Sequence, residues 1–140
     1  MSTNENVALV RRFLEEAYNQ GNLVVGDELL ADDCVFYTPA PVRGIAGWTQ
    51  FARAFLTAFP TDLRLTIDDI FAAGDKVAAR WTAQGTHAGP LRGFPPSGNL
   101  VKWVGMGLYS VADGKIVEVW GLNDALGIMQ QIGAIPSKDR

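Results

Sequence analysis

The stretch VKWVGMGLYSVADGKIVEVW, residues 101–120, reads as a β-hairpin. Asp113-Gly114 offers two residues suited to positive φ, and β-branched and aromatic residues flank it on both sides. Side chains alternate along a strand, so Val101, Trp103 and Tyr109 share one face while Val104, Met106 and Leu108 share the other. Both faces are apolar. One can close over a core or pocket, and the other is expected to be covered in a homodimer built on the outer face of the sheet. Gly105 and Gly107 mark either space yielded to a ligand or a bend in the sheet.

Working outward, Leu63, Leu65 and Ile67 alternate with Arg64, Thr66 and Asp68 as in a half-buried strand. Gly74-Asp75-Lys76 turns the chain into a second strand over 77–87, and a Pro- and Gly-rich stretch, 89–98, leads to the hairpin. The first half is helical in period. Ser2 and Glu5 have capping-box spacing ahead of Val7, Val10, Leu14, Ala17 and Tyr18, which predicts a helix over 3–20 ended by Gly21-Asn22. A turn of helix opens at Gly26-Asp27, and a short strand over 34–38 stops at Pro39-Ala40-Pro41. Ile45, Trp48, Phe51, Ala52, Phe55 and Phe59 then form an apolar helical stripe ended by Pro60. Beyond the last strand, 115–121, Asn123 or Asp124 can cap a closing helix with Leu126, Ile128, Met129 and Ile132 on its apolar face. The expectation is one α+β domain over 1–140: helices wrapped by a curved antiparallel sheet, with a conical pocket between them.

Composition removes several classes of function. The 140 residues are 48% hydrophobic and 19% charged, as one globular domain requires, and a net charge of −3 gives no footprint for nucleic acid or an anionic membrane. No apolar run approaches the ~20 residues that span a bilayer. The first six residues carry neither a basic region nor an apolar one, so a cytoplasmic location is expected. A lone Cys34 and a lone His87 exclude an internal disulfide and the usual zinc ligand set. Nucleophile-elbow, P-loop and Gly-x-Gly-x-x-Gly patterns are missing, so neither a metal nor a cofactor is expected. What remains is an acid/base pocket or a binding pocket for a small molecule.

The candidate residues each have a plain reading and a functional one. Asp124 starts the last helix just past Trp120; it is a helix cap, or a desolvated carboxyl that acts as general acid or base. His87, in Gly85-Thr-His-Ala-Gly89, is a second catalytic candidate or a histidine satisfied by backbone groups. Arg80, inside Val77-Ala-Ala-Arg-Trp81, must meet a carboxylate or solvent. Trp48, Phe55, Met106 and Trp120 are core or pocket wall, and Tyr37 can donate to a substrate carbonyl. Phe94 lies in a stiff loop, 90–99, expected beside the pocket entrance and expected to order over a ligand.

The segments GDKVAARW (74–81), GTHAG (85–89), GFPPSG (93–98), DGKIVEVW (113–120) and DALG (124–127), with Gln131 and Gly133, resemble the SnoaL-like polyketide cyclases in order and spacing. That resemblance implies the cone-shaped α+β barrel of the nuclear transport factor 2-like superfamily, commonly a homodimer, with an interior cavity. It implies that Asp124 is the acid/base residue of a cofactor-independent ring closure by intramolecular aldol condensation. Tyr37, Arg80 and His87 would then orient polar groups of an apolar, carbonyl-rich substrate. The chain differs from the family pattern at Phe36, Tyr37 and Val119, where relatives often carry aspartate or histidine. On the same fold the alternatives are an epoxide hydrolase, a dehydratase, an isomerase, or a non-catalytic binding protein.

Overall fold

Ser2 closes the capping box that its spacing predicts. Its hydroxyl accepts the Glu5 N–H at 3.1 Å, and its own N–H donates to the Glu5 carboxylate at 3.2 Å, starting helix α1, Thr3–Leu14. The computed structural model describes residues 2–136. Helix α1 runs on into a π-helical turn, Glu15–Asn19, where the predicted single helix widens. That turn brings Asn19 to the sheet: its side-chain amide donates to the Leu65 carbonyl at 2.9 Å and accepts the Leu65 N–H at 2.6 Å.

A short α2, Val25–Leu29, precedes β1, Leu30–Tyr37, which is longer than the sequence suggested. A three-residue β2, Pro41–Arg43, was not anticipated; as the edge strand it tolerates a proline that cannot donate to a ladder. Helix α3, Gly44–Ala58, buries Trp48 and Ala52. The strands β3, Arg64–Ala73, β4, Lys76–Thr86, β5, Leu100–Ala112, and β6, Lys115–Asn123, follow, and α4, Ala125–Gln131, closes the chain.

The sheet order is β2-β1-β6-β5-β4-β3. Its one departure from the expected antiparallel pattern is β1, which pairs parallel to β6; the long path through α3 and four strands makes such a pairing possible. At the hairpin, Asp113 and Gly114 have φ of 52° and 73°, the mirror-image turn that the Asp-Gly pair specifies. Strand β5 alternates buried and exposed residues along nearly its whole length. Val101, Trp103 and Tyr109 face the helices across the concave side, with Val77, Trp81, Ile116 and Val119 beside them. Val104, Met106 and Leu108 face outward and are exposed. A bulge in β3 between Ile67 and Asp69 sets two residues against one, so Asp68 and Asp69 both reach the outward face beside Arg80.

Candidate functional site

Inside the cone, α1, the π turn, α3 and strands β1, β3, β4, β5 and β6 enclose a narrow cavity of about 60 Å³. Its wall is aromatic, with Phe13, Phe51, Phe55, Trp81 and Trp103 prominent. The polar groups that reach it are Tyr18, Thr38, Tyr109 and Asn123, and no carboxylate, histidine, lysine or arginine lines it among the described residues.

Asn123 is placed by β6. Alternation from Val119 through Gly121 carries its side chain to the concave side, opposite Gly105 of β5. Its Oδ1 accepts two indole N–H groups, from Trp81 and from Trp103, each at 3.1 Å. Gly105 makes that junction possible, because a Cβ there would stand 2.3 Å from the Trp81 indole nitrogen and 2.5 Å from Asn123 Oδ1. Gly107 likewise lies under the Tyr109 ring, 2.8 Å from where its own Cβ would be. The space left by the two glycines is therefore filled by the protein's own side chains.

Burial pushes the Tyr18 phenol up to about 12, partly opposed by a hydrogen bond from Trp48. Burial raises Tyr109 as well, with the neighbouring Tyr18 adding to the effect. Both phenols stay protonated near neutral pH, so they serve this cavity as hydrogen-bond donors and not as bases.

Five of the residues expected at the site converge elsewhere. Tyr37, Arg80, Met106, Trp120 and Asp124 line an open groove of about 940 Å³ on the outward face of the sheet. Tyr37 stacks on Trp120 at 4.2 Å and 16°, and the Trp120 indole donates to Glu118 at 2.6 Å. Arg80 does meet carboxylates, Asp69 at 2.8 Å and Asp68 at 3.7 Å, but its side chain is 46% exposed and such pairs add little stability. Asp124 is exposed and accepts the Gly127 N–H at 2.9 Å, so it caps α4 at the rim of the outward groove. Met106, at 60% exposed, walls the outward groove and not the interior, because it sits one residue out of phase with Trp103 and Gly105. Trp120 is out of phase with Val119 and Gly121 for the same reason.

Of the other candidates, Phe55 lines the cavity as expected. Trp48 does not: it is 1% exposed and packed against Phe13 with ring centroids 4.9 Å apart, on the core side of α3. His87 is fully buried and reaches neither cavity nor groove. Its Nδ1 meets the Ser97 hydroxyl at 2.9 Å and accepts the Ser97 N–H at 3.1 Å, which leaves the ring proton on Nε2, a position with no hydrogen-bond partner. Burial holds its pKa below the usual value. His87 thus ties the loop after β4 to the strand end through Ser97. Phe94 also misses the cavity, because a tight reversal pairs it with Leu91 through bonds of 3.0 and 2.8 Å, and the loop seats on the end of α3 instead of over a mouth.

Tyr18, Thr38, Tyr109 and Asn123 line the cavity, and the sequence patterns did not single them out as candidates. For Asn123 the signal was present, since continuing the β6 alternation two residues past Gly121 selects it. Among the described residues, no group of three or more potential ligands gathers as a metal site would need, and no helix is long and apolar enough to cross a membrane.

The family model for SnoaL-like polyketide cyclases matches residues 8–132. The chain belongs to the SnoaL-like polyketide cyclase family. Its fold is that of the nuclear transport factor 2-like superfamily, and solved structures bear this out. AclR of Streptomyces galilaeus, a proposed hydroxylase, is 31% identical with a TM-score of 0.88, over 97% of this chain and 85% of its own. TsrD of Streptomyces laurentii is 32% identical with a TM-score of 0.86, over 96% and 99%. IdmH of Streptomyces antibioticus, a proposed polyketide cyclase, is 31% identical with a TM-score of 0.77, over 95% and 99%. No curated protein sequence matches significantly. Relatives of similar likeness thus bear different proposed activities, and membership of the family does not by itself fix the reaction of this chain.

Proposed function

We propose that this SnoaL-like chain takes an apolar, carbonyl-bearing small molecule in the interior cone and promotes a cyclase-type ring closure there. The observation that carries the reading is the convergence of Tyr18, Thr38, Tyr109 and Asn123 on an aromatic, uncharged cavity. A polyketide β-dicarbonyl enolises readily by itself, so the protein's share is to fold the chain, exclude water and donate hydrogen bonds to the oxygen on which charge builds. Neutral phenols suit that task. An acid/base part for Asp124 has the family resemblance in its favour and its position at the outward groove against it.

One experiment separates the two. Ring closure of a linear aromatic-polyketide methyl ester, followed by absorbance and mass spectrometry, should slow by up to about tenfold in Tyr109→Phe, the worth of one neutral hydrogen bond. Asp124→Asn should stay within a few-fold of the parent. Loss of turnover in Asp124→Asn with an unaffected Tyr109→Phe would reverse the assignment, and absence of both turnover and binding would remove the cyclase reading.

We also propose that two copies pair through the outward face. Phe71, Met106 and Leu122 are each at least 60% exposed and Trp120 is 55% exposed, and they form with Val104 and Leu108 a continuous apolar patch unusual on a monomer. Sedimentation at micromolar concentration should give a species of twice 15.2 kDa, and Met106→Glu should shift it to the monomer. A 15.2 kDa species for the unmodified chain would refute the pairing.

A further inference from the structure

Asn123 is held in one orientation. Indole N–H groups can only donate, and two of them, from Trp81 and Trp103, converge on its side chain at 3.1 Å. The atom they meet must be the carbonyl oxygen, so the side-chain amide cannot be flipped. The Nδ2 group, with two protons to give, is then the polar atom left to serve a ligand; Asn123 lines the interior cavity and also borders the outward groove. Among the described residues it makes no hydrogen bond within the protein, and it is not among the buried polar atoms walled off without a partner. The Trp103 indole is packed between Phe55 and Phe59 and the Trp81 indole is buried, and together they hold the amide in place.

We infer that Asn123 is the specificity-determining donor of the cone: its Nδ2–H groups select a neutral ligand that presents a carbonyl oxygen beside an apolar body. The inference rests on the reading of the cone as the binding site for a carbonyl-bearing molecule and adds the residue that reads the carbonyl. Every polar side chain at the cavity either donates or can turn to donate, with Tyr18, Tyr109 and Thr38 joining Asn123, while the natural acceptor, Asn123 Oδ1, is already used twice. A ligand donor can be met by the hydroxyl oxygens of Tyr18, Tyr109 and Thr38, but at Asn123 it finds only N–H groups, since Oδ1 is taken by the two indoles. A cation finds no counter-charge on the lining, and an anion finds none either.

The test uses the whole chain and three small probes of nearly equal shape: acetophenone, ethylbenzene and 1-phenylethylammonium. Binding is read from ¹H–¹⁵N shifts of the Trp81 and Trp103 indole N–H groups and of the Asn123 side-chain amide. Acetophenone gives up water at its carbonyl, so in a cavity without a donor it would bind about tenfold or more weakly than ethylbenzene. The expected result is that it binds at least as tightly, that the Asn123 amide protons move on binding, and that the ammonium does not bind. In Asn123→Asp the indoles keep their acceptor and the donor is lost. Acetophenone should then weaken about tenfold or more while ethylbenzene, which reports that the cavity is still formed, stays within about twofold. Ethylbenzene binding tenfold tighter than acetophenone to the unmodified chain would overturn the donor and leave the cone a binding site. Equal weakening of both probes in Asn123→Asp would overturn the donor in the same way. Failure of every probe to move either indole signal would overturn the cone as a site, and the donor with it.

Discussion

Replacing Trp48 with alanine is expected to lower the unfolding free energy by about 3–5 kcal/mol, the usual range for a large aromatic removed from a packed core. Trp48 is 1% exposed, and its ring meets Phe13 with centroids 4.9 Å apart. The fit on its far side is closer still: a Cβ on Gly26 would stand 2.6 Å from the Trp48 ring, so α2 carries a glycine where α3 delivers its largest side chain. These three segments meet around that indole, and neighbours fixed in α1, α2 and α3 have little freedom to collapse into the hole. Against a total of about 5–15 kcal/mol for a domain, the loss removes a large share of the stability. Denaturant unfolding checks it: the midpoint should fall with the slope unchanged. A loss below about 1 kcal/mol would mean that the indole is not the keystone of this junction.

Much of the fold was readable because its signals are local. The Ser2–Glu5 capping box, the period-2 run in β5 and the Asp113-Gly114 turn each depend on a few adjacent residues, and each formed as expected. The parallel pairing of β1 with β6 was not readable, because residues 30–37 and 115–123 are distant in the chain and no turn residue records which strand receives the other. The bulge beside Asp68 was hidden for a related reason. It reveals itself only when Arg80 of the neighbouring strand is found facing two consecutive aspartates.

The site shows the same limit more sharply. Alternation grouped Met106 with Val104 and Leu108 on one side of the sheet, and the structure joins them there with Tyr37, Arg80, Trp120 and Asp124. What alternation cannot state is which of two apolar faces the helices cover. When both sides of a strand are hydrophobic, the choice is made by the aromatic residues of α1 and α3 packing on Trp81, Trp103 and Tyr109, which is tertiary information. The glycines resolve in the same terms: Gly105 and Gly107 offered either a ligand space or a bend, and the answer, space for Trp81, Asn123 and Tyr109, exists only once the strands are in register.

The second large effect is expected at Gly89. Its added Cβ in an alanine variant would fall 1.9 Å from the Thr57 carbonyl oxygen and 3.0 Å from the carbon, and both are backbone atoms that no rotamer change can move aside. Relief requires the loop after β4 to separate from the end of α3. The separation costs the bonds from the Ala88 and Gly89 N–H groups to the Ala58 carbonyl, 3.2 and 3.1 Å, which satisfy an acceptor at that helix terminus. It also loosens the segment that carries Ser97, and with it the cover over His87, whose burial depends on that loop. Overpacking against backbone together with two lost hydrogen bonds should lower stability by about 3 kcal/mol or more. The damage should be local in character: amide exchange at His87 and Gly98, bonded to Asn99 and His87 carbonyls at 2.9 Å, should quicken before that of β5. Gly121→Ala is the matched control, since the nearest atom to its added Cβ is Val119 Cγ1 at 3.8 Å and nothing must move. Because neither the loop nor Phe94 lines the cone, ligand affinity in a Gly89→Ala sample held below its melting range should equal that of the parent. Unchanged melting with loop amides as protected as before would show that the close approach at Thr57 is not what seats the loop.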